Sequence, residues 1–152
     1  MNYHISDRMA ALQPSAIREI LKATSDPSII PFAAGNPAAE AFPAKEIAAI
    51  SAEILEKEPI TALQYSITEG YPLLRESIKA FACRHENLFH GDDNLITCSG
   101  AQQGIELTTK CLCNEGDTVI CEDPSFIGSL NTFRSYKTNL IGIPMESDGM
   151  NL

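Results

Sequence analysis

The chain has 152 residues, 44% of them hydrophobic and 20% charged, with a formal net charge of −9 at pH 7. Its length suits one ordinary domain, and its acidity argues against nucleic acid or an anionic membrane surface as a partner. No apolar run approaches the ~20 residues of a membrane span, and residues 1–7 show no basic stretch leading into an apolar one, so a cytoplasmic protein is expected.

In chain order, Ser15 can cap a short helix to about Lys22, with Glu19 near its amino end. Asp26-Pro27 ends it, residues 29–34 read as extended, and Gly35-Asn36-Pro37 as a turn. Phe42-Pro43 precedes a helix from about Ala44 to Lys57, with Ile47, Ala48, Ile50, Ile54 and Leu55 at helical spacing. Pro72 in a first-turn position opens another helix, whose core stripe is Leu74, Ile78 and Phe81. Asp92-Asp93-Asn94 then leads into an expected strand, Leu95–Cys98.

Residues 95–126 carry the most information. They read as strand, small-residue loop, helix, strand and second loop. The first loop, Ser99-Gly100-Ala101-Gln102, runs straight into a helical pattern. Small residues let a ligand approach the backbone, and the first amides of a helix lack intrahelical acceptors, so phosphate is the natural occupant. The loop is neither a dinucleotide fingerprint nor a Walker loop. An ordinary βαβ crossover with turn glycines has the same composition, and both readings stand at this level.

The second strand is expected at Thr118–Cys121, followed by Glu122-Asp123-Pro124-Ser125-Phe126, a helix over 126–136 and a third strand at 139–144. Ligands of open α/β sheets bind beyond the carboxyl ends of strands, so both loops should lie on one rim. The fold class is therefore α/β, with parallel crossovers. The five cysteines are odd in number and form no CxxC pair; Cys111 and Cys113, read as one helical CxC, point to different faces. Buried reduced thiols are expected in preference to a metal site.

Together, Ser15-Ala16-Ile17-Arg18-Glu19, Ile30 to Pro37, Phe42-Pro43, Leu63-Gln64-Tyr65-Ser66 with Glu69-Gly70, Leu74-Arg75, Ser99 to Gly104 and Glu122 to Phe126 resemble the N-terminal part of fold-type I pyridoxal-phosphate-dependent aminotransferases. Within class I/II, the resemblance is to the branch of 2-aminoadipate and kynurenine aminotransferases and MocR-type regulators. It implies the first part of an aspartate aminotransferase-like large domain, with helices flanking an incomplete, mainly parallel sheet. It divides the chain into an N-terminal arm and substrate-side loop (residues 1–43) and the start of the cofactor domain (44–152). The family's first strand is separated from the next two by strands from later in the chain, so Leu95–Cys98 would lack its neighbours and leave open edges.

The resemblance also implies roles. The Ala101 and Gln102 amides, beside Gly100, would hold the phosphate of pyridoxal 5'-phosphate. Serine is frequent at the position of Ala101. Phe126 would stack on the cofactor ring; as a residue type it also suits a core aromatic at a helix start. Tyr65 would reach the phosphate of a neighbouring subunit, which makes the enzyme a homodimer with shared active sites; a half-buried strand tyrosine is its alternative. Gly35 and Asn36 would meet the substrate carboxylate, and Arg18 would recognise substrate or remain solvated. No role falls to the three histidines.

The implied activity moves an amino group between an amino acid and a 2-keto acid. The family's Schiff-base lysine matches none of Lys22, Lys45, Lys57, Lys79, Lys110 and Lys137, so no catalytic residue is assigned and inactivity of this chain alone is expected. The alternative is a non-catalytic ligand-sensing or interaction domain of MocR type.

Overall fold

The computed structural model describes residues 3–10, 12, 28–30, 35, 37–85, 88–89 and 93–151. The expected helix from Ser15 to Lys22 lies outside these residues, as do Arg18 and Asn36. The chain forms two compact units, residues 35–98 and residues 1–34 with 99–152.

In the first unit, a 3-10 turn at Ala39–Ala41 leads to helix α2, Ala44–Lys57, at its expected bounds. (α1 is the short helix Asp7–Ala10 of the other unit.) Glu46 in the first turn of α2 and Lys57 in the last complement the helix dipole. Lys57 Nζ pairs with Glu53 at 2.6 Å across one turn, but both side chains are exposed, which limits the pair to about 0.3–0.5 kcal/mol. Non-helical backbone at Glu58 (φ −134, ψ 47) separates α2 from α3, Pro59–Leu63, which opens on its proline. Helix α4 is Pro72–His85.

Leu95–Cys98 does not form the expected strand and joins no sheet among the described residues. It is held from α4 instead. Arg75 Nε donates to the Leu95 carbonyl at 2.6 Å and Nη2 to Asn94 Oδ1 at 2.7 Å, while Lys79 Nζ reaches the Asp93 carbonyl at 2.8 Å. A strand needs a partner ladder. Here Arg75 takes the Leu95 carbonyl, and the Glu69 carbonyl accepts from Thr97 N at 3.0 Å.

In the second unit, α5 is Ala101–Leu112, β1 Thr118–Asp123, α6 Ile127–Ser135, β2 Asn139–Glu146 and β3 Gly149–Met150. β1 and β2 pair in parallel from Thr118↔Asn139 to Asp123↔Pro144, with α6 as the crossover. β2 turns back on β3 through Met145↔Met150 and Glu146↔Gly149, giving the order β1-β2-β3. Both longer strands run two residues past their expected ends. The turn before β1 is tied to the turn before β2: Gly116 N donates to the Lys137 carbonyl at 3.0 Å, and Asn139 Nδ2 to the Gly116 carbonyl at 2.7 Å.

A hydrophobic content of 44% could fill a core, but among the described residues no hydrophobic side chain is buried. The buried residues among those described are Thr109, Thr132 and Thr138. Each satisfies its hydroxyl on a backbone carbonyl, that of Ile105, Gly128 and Phe133 respectively, as burial demands. The α2 stripe stays open, with Ile47 and Ile50 each 56% exposed. The thiols depart from expectation for the same reason. None of the five forms a disulfide; Cys83, Cys98 and Cys111 are exposed, and Cys113 and Cys121 are half-buried. Cys113 is not on the α5 face at all but at its carboxyl cap.

Candidate functional site

Helix α5 begins immediately after Gly100, which stands at φ +87. This is left-handed backbone that glycine adopts without strain, and nothing lies within 4 Å of where a Cβ would stand. Just upstream, Gln103 Oε1 accepts from Ser99 N at 2.6 Å and so pins the loop to the first turn. This is a shifted form of the capping box, in which a glutamine at the third helical position reaches back to an amide ahead of the helix. The amides of Ala101 and Gln102 fall in the first turn, where no intrahelical acceptor exists. Across 12 residues the peptide dipoles of α5 add, which favours an anion at this end.

Phe126 lies beyond the carboxyl end of β1, after a cis Asp123-Pro124 bond. It is the amino-terminal cap of α6 rather than its first residue, and its carbonyl accepts from Leu130 N at 3.2 Å. The ring is 59% exposed, which leaves a face open to solvent.

The Gln102 side chain joins the two helix starts. Its Nε2 donates to Thr132 Oγ1 at 2.6 Å and to the Gly128 carbonyl at 3.3 Å. The α5 loop and the loop after β1 are thus neighbours, although the strand expected ahead of the first is not formed. Composition alone gave no sign of this contact. A glutamine side chain spanning 30 positions needs the fold to be visible.

Tyr65 follows α3 and is 99% exposed, with its amide bonded to Gln64 Oε1 at 2.8 Å. Gly35 sits in a turn at φ +60 with open space where a side chain would be. Both belong to the 35–98 unit, whereas Gly100, Ala101, Gln102 and Phe126 belong to the other. An open groove of about 640 Å³, lined by Ile50, Ile54, Lys57, Ala62 and Tyr71, also lies in the 35–98 unit and contains none of the residues assigned a role. Among the described residues no three His, Cys, Asp or Glu side chains gather as a metal site, and no helix is long and apolar enough to cross a membrane.

A sequence profile of the family described as Aminotransferase class I and II matches residues 27–152. The chain belongs to this family. It is 39% identical over 142 residues to the 2-aminoadipate transaminase of Thermus thermophilus, covering 93% of this chain and 34% of that protein. With the aromatic-amino-acid aminotransferase 1 of Thermococcus litoralis it shares 32% over 149 residues, covering 98% and 36%. Among solved structures, the Pyrococcus horikoshii kynurenine aminotransferase in complex with PMP superposes with a TM-score of 0.84 at 33% identity, over 97% of this chain and 36% of that one. The chain spans about a third of the length of these relatives and corresponds to the N-terminal portion of a fold-type I enzyme. The family's fold is the aspartate aminotransferase-like α/β fold, and its cofactor is pyridoxal 5'-phosphate.

Proposed function

We propose that this chain supplies the phosphate grip and the ring-stacking face of a pyridoxal-phosphate-dependent aminotransferase. The observation that carries the reading is the meeting of the α5 start with the Phe126 loop through Gln102. The donor set suits the group: first-turn amides and a helix dipole for a phosphate, an open glycine for close approach, and an exposed aromatic face for a flat ring. When bound, the cofactor supplies the electron sink through which an amino group passes between an amino acid and a 2-keto acid.

In this reading the Ala101 and Gln102 amides bind the phosphate, and Phe126 orients the ring and keeps water from one face. Residues 1–43 form the arm and substrate-side loop, where Gly35, Asn36 and Arg18 meet the substrate, and 44–152 form the first part of the cofactor domain. Tyr65 donates its hydroxyl to the phosphate held by a second subunit of a homodimer, in keeping with its full exposure. The enzyme acts in cytoplasmic amino-acid metabolism. Because none of the six lysines stands in the context of the family's anchoring lysine, the chain alone does not complete the reaction.

The test is to mix the purified chain with pyridoxal phosphate and record spectra before and after borohydride and dialysis, beside calorimetric titration with pyridoxamine phosphate. Saturable pyridoxamine phosphate binding, with borohydride adducts scattered over surface lysines and no amino transfer, is the expected result. Stoichiometric capture at one lysine with transfer to a keto acid would overturn the inactivity. No binding of either compound would overturn the grip.

A further inference from the structure

We propose that the side chain of Gln102 is a positioning residue that sets the Phe126 ring, acting through Gly128 and Thr132 and separately from the amide of the same residue. The inference rests on the cofactor reading above and adds to it a device that fixes the angle between phosphate grip and stacking face.

The geometry is closed on three sides. Gln102 Nε2 donates to Thr132 Oγ1 at 2.6 Å. Thr132 is only 7% exposed, and its hydroxyl donates to the Gly128 carbonyl at 3.2 Å, which directs a lone pair toward Gln102. The same carbonyl accepts from Gln102 Nε2 at 3.3 Å. These two acceptors fix the carboxamide nitrogen on the Thr132 hydroxyl and the Gly128 carbonyl, which leaves the oxygen beside the Cα of Gly128.

That oxygen and the Phe126 ring converge on Gly128. A Cβ built there would stand 2.7 Å from Gln102 Oε1 and would collide with Phe126 Cε1. Gly128 has ordinary backbone, with no positive φ, so its missing side chain serves close approach rather than a turn. The ring and the carboxamide oxygen therefore both border the space that a side chain at position 128 would fill.

Phosphate touches only the amides in this scheme, whereas pyridoxamine phosphate needs the ring as well. Gln102→Met keeps the backbone, length and helix propensity and removes the hydrogen bonds. Gly128→Ala crowds the ring from the other side. The experiment titrates the full chain and both variants with inorganic phosphate and with pyridoxamine phosphate. It also measures the nuclear Overhauser effect between the Phe126 ring and Gly128 Hα without ligand.

For Gln102→Met, phosphate affinity is expected to stay within about twofold while pyridoxamine phosphate affinity falls about fivefold, the equivalent of one hydrogen bond, and the ring contact weakens. Gly128→Ala should lower the same ratio with helicity unchanged, and it decides the matter if Gln102→Met does not fold. An unchanged affinity ratio and ring contact in both variants would overturn the proposal. If the wild-type chain binds neither ligand, the cofactor reading fails, and the ring contact alone then decides the role of Gln102.

Discussion

Arg75 holds the Leu95 carbonyl through Nε at 2.6 Å while its Nη2 takes Asn94 Oδ1, which also accepts the Leu95 amide at 2.8 Å. One guanidinium thus closes a ring over a stretch that would otherwise need a neighbouring strand. Hydrogen bonds from a charged donor contribute roughly 1.5–3 kcal/mol when buried, and the partial exposure here places the pair near the lower end. Arg75→Ala should cost about 1–2 kcal/mol in urea unfolding and speed hydrogen exchange at Leu95 and Thr97. Arg75→Lys should recover little, because an ammonium cannot span both acceptors.

Gly70 stands at φ +104, and a Cβ there would collide with Thr97 Oγ1. Both the backbone and the space therefore require glycine, next to the bond from Thr97 N to Glu69 O at 3.0 Å. Gly70→Ala should destabilise by about 2–3 kcal/mol, combining left-handed strain with overpacking. Adding Thr97→Ala should return only the steric part. A double-mutant cycle with a coupling near zero would show that the two residues do not press on each other.

How far the chain was legible follows from the range of the interactions. Helices α2 and α4 were readable because local spacing and prolines determine them, and a helix after the Ser99 loop was readable too, although it starts at Ala101, inside the stretch read as loop. β1 and β2 were readable because a short crossover joins partners adjacent in sequence. Leu95–Cys98 was misread because its apolar pattern fits a strand, while its actual partners are Arg75, on a helix 20 positions away, and the Glu69 carbonyl. The Gln102 to Thr132 bond was invisible for the same reason. Placement of Tyr65 and Phe126 rested on resemblance, and neither residue's surroundings could be read from its own neighbours in sequence.

Lys137 occupies a position that the helix end prefers to give to glycine. Helix α6 closes with Lys137 N on the Arg134 carbonyl at 2.9 Å and Thr138 N on the Phe133 carbonyl at 3.3 Å, a Schellman arrangement. The residue stands at φ +57. A non-glycine residue there costs about 1–2 kcal/mol. Its ammonium recovers little, since the 3.0 Å pair with Glu115 is exposed and worth about 0–1 kcal/mol. Lys137→Gly should therefore raise stability by about 0.5–1 kcal/mol in urea unfolding, and a loss of more than that would show that the ion pair dominates.

Ala101 offers a way to remove one phosphate donor without touching any side chain. It is the first residue of α5, where proline is favoured because the missing N–H has no intrahelical partner. The preceding Gly100 combines φ +87 with ψ 166, and a ψ in that range, away from the α region, is one a following proline accepts. Ala101→Pro should thus keep helicity by circular dichroism while deleting a charge-assisted bond to phosphate. Such a bond contributes roughly 1.5–3 kcal/mol, so inorganic phosphate and pyridoxamine phosphate should both weaken at least tenfold. The matched loss separates this change from Gln102→Met, which is expected to spare inorganic phosphate. Unaltered phosphate affinity in Ala101→Pro, with the helix intact, would mean that the anion sits elsewhere.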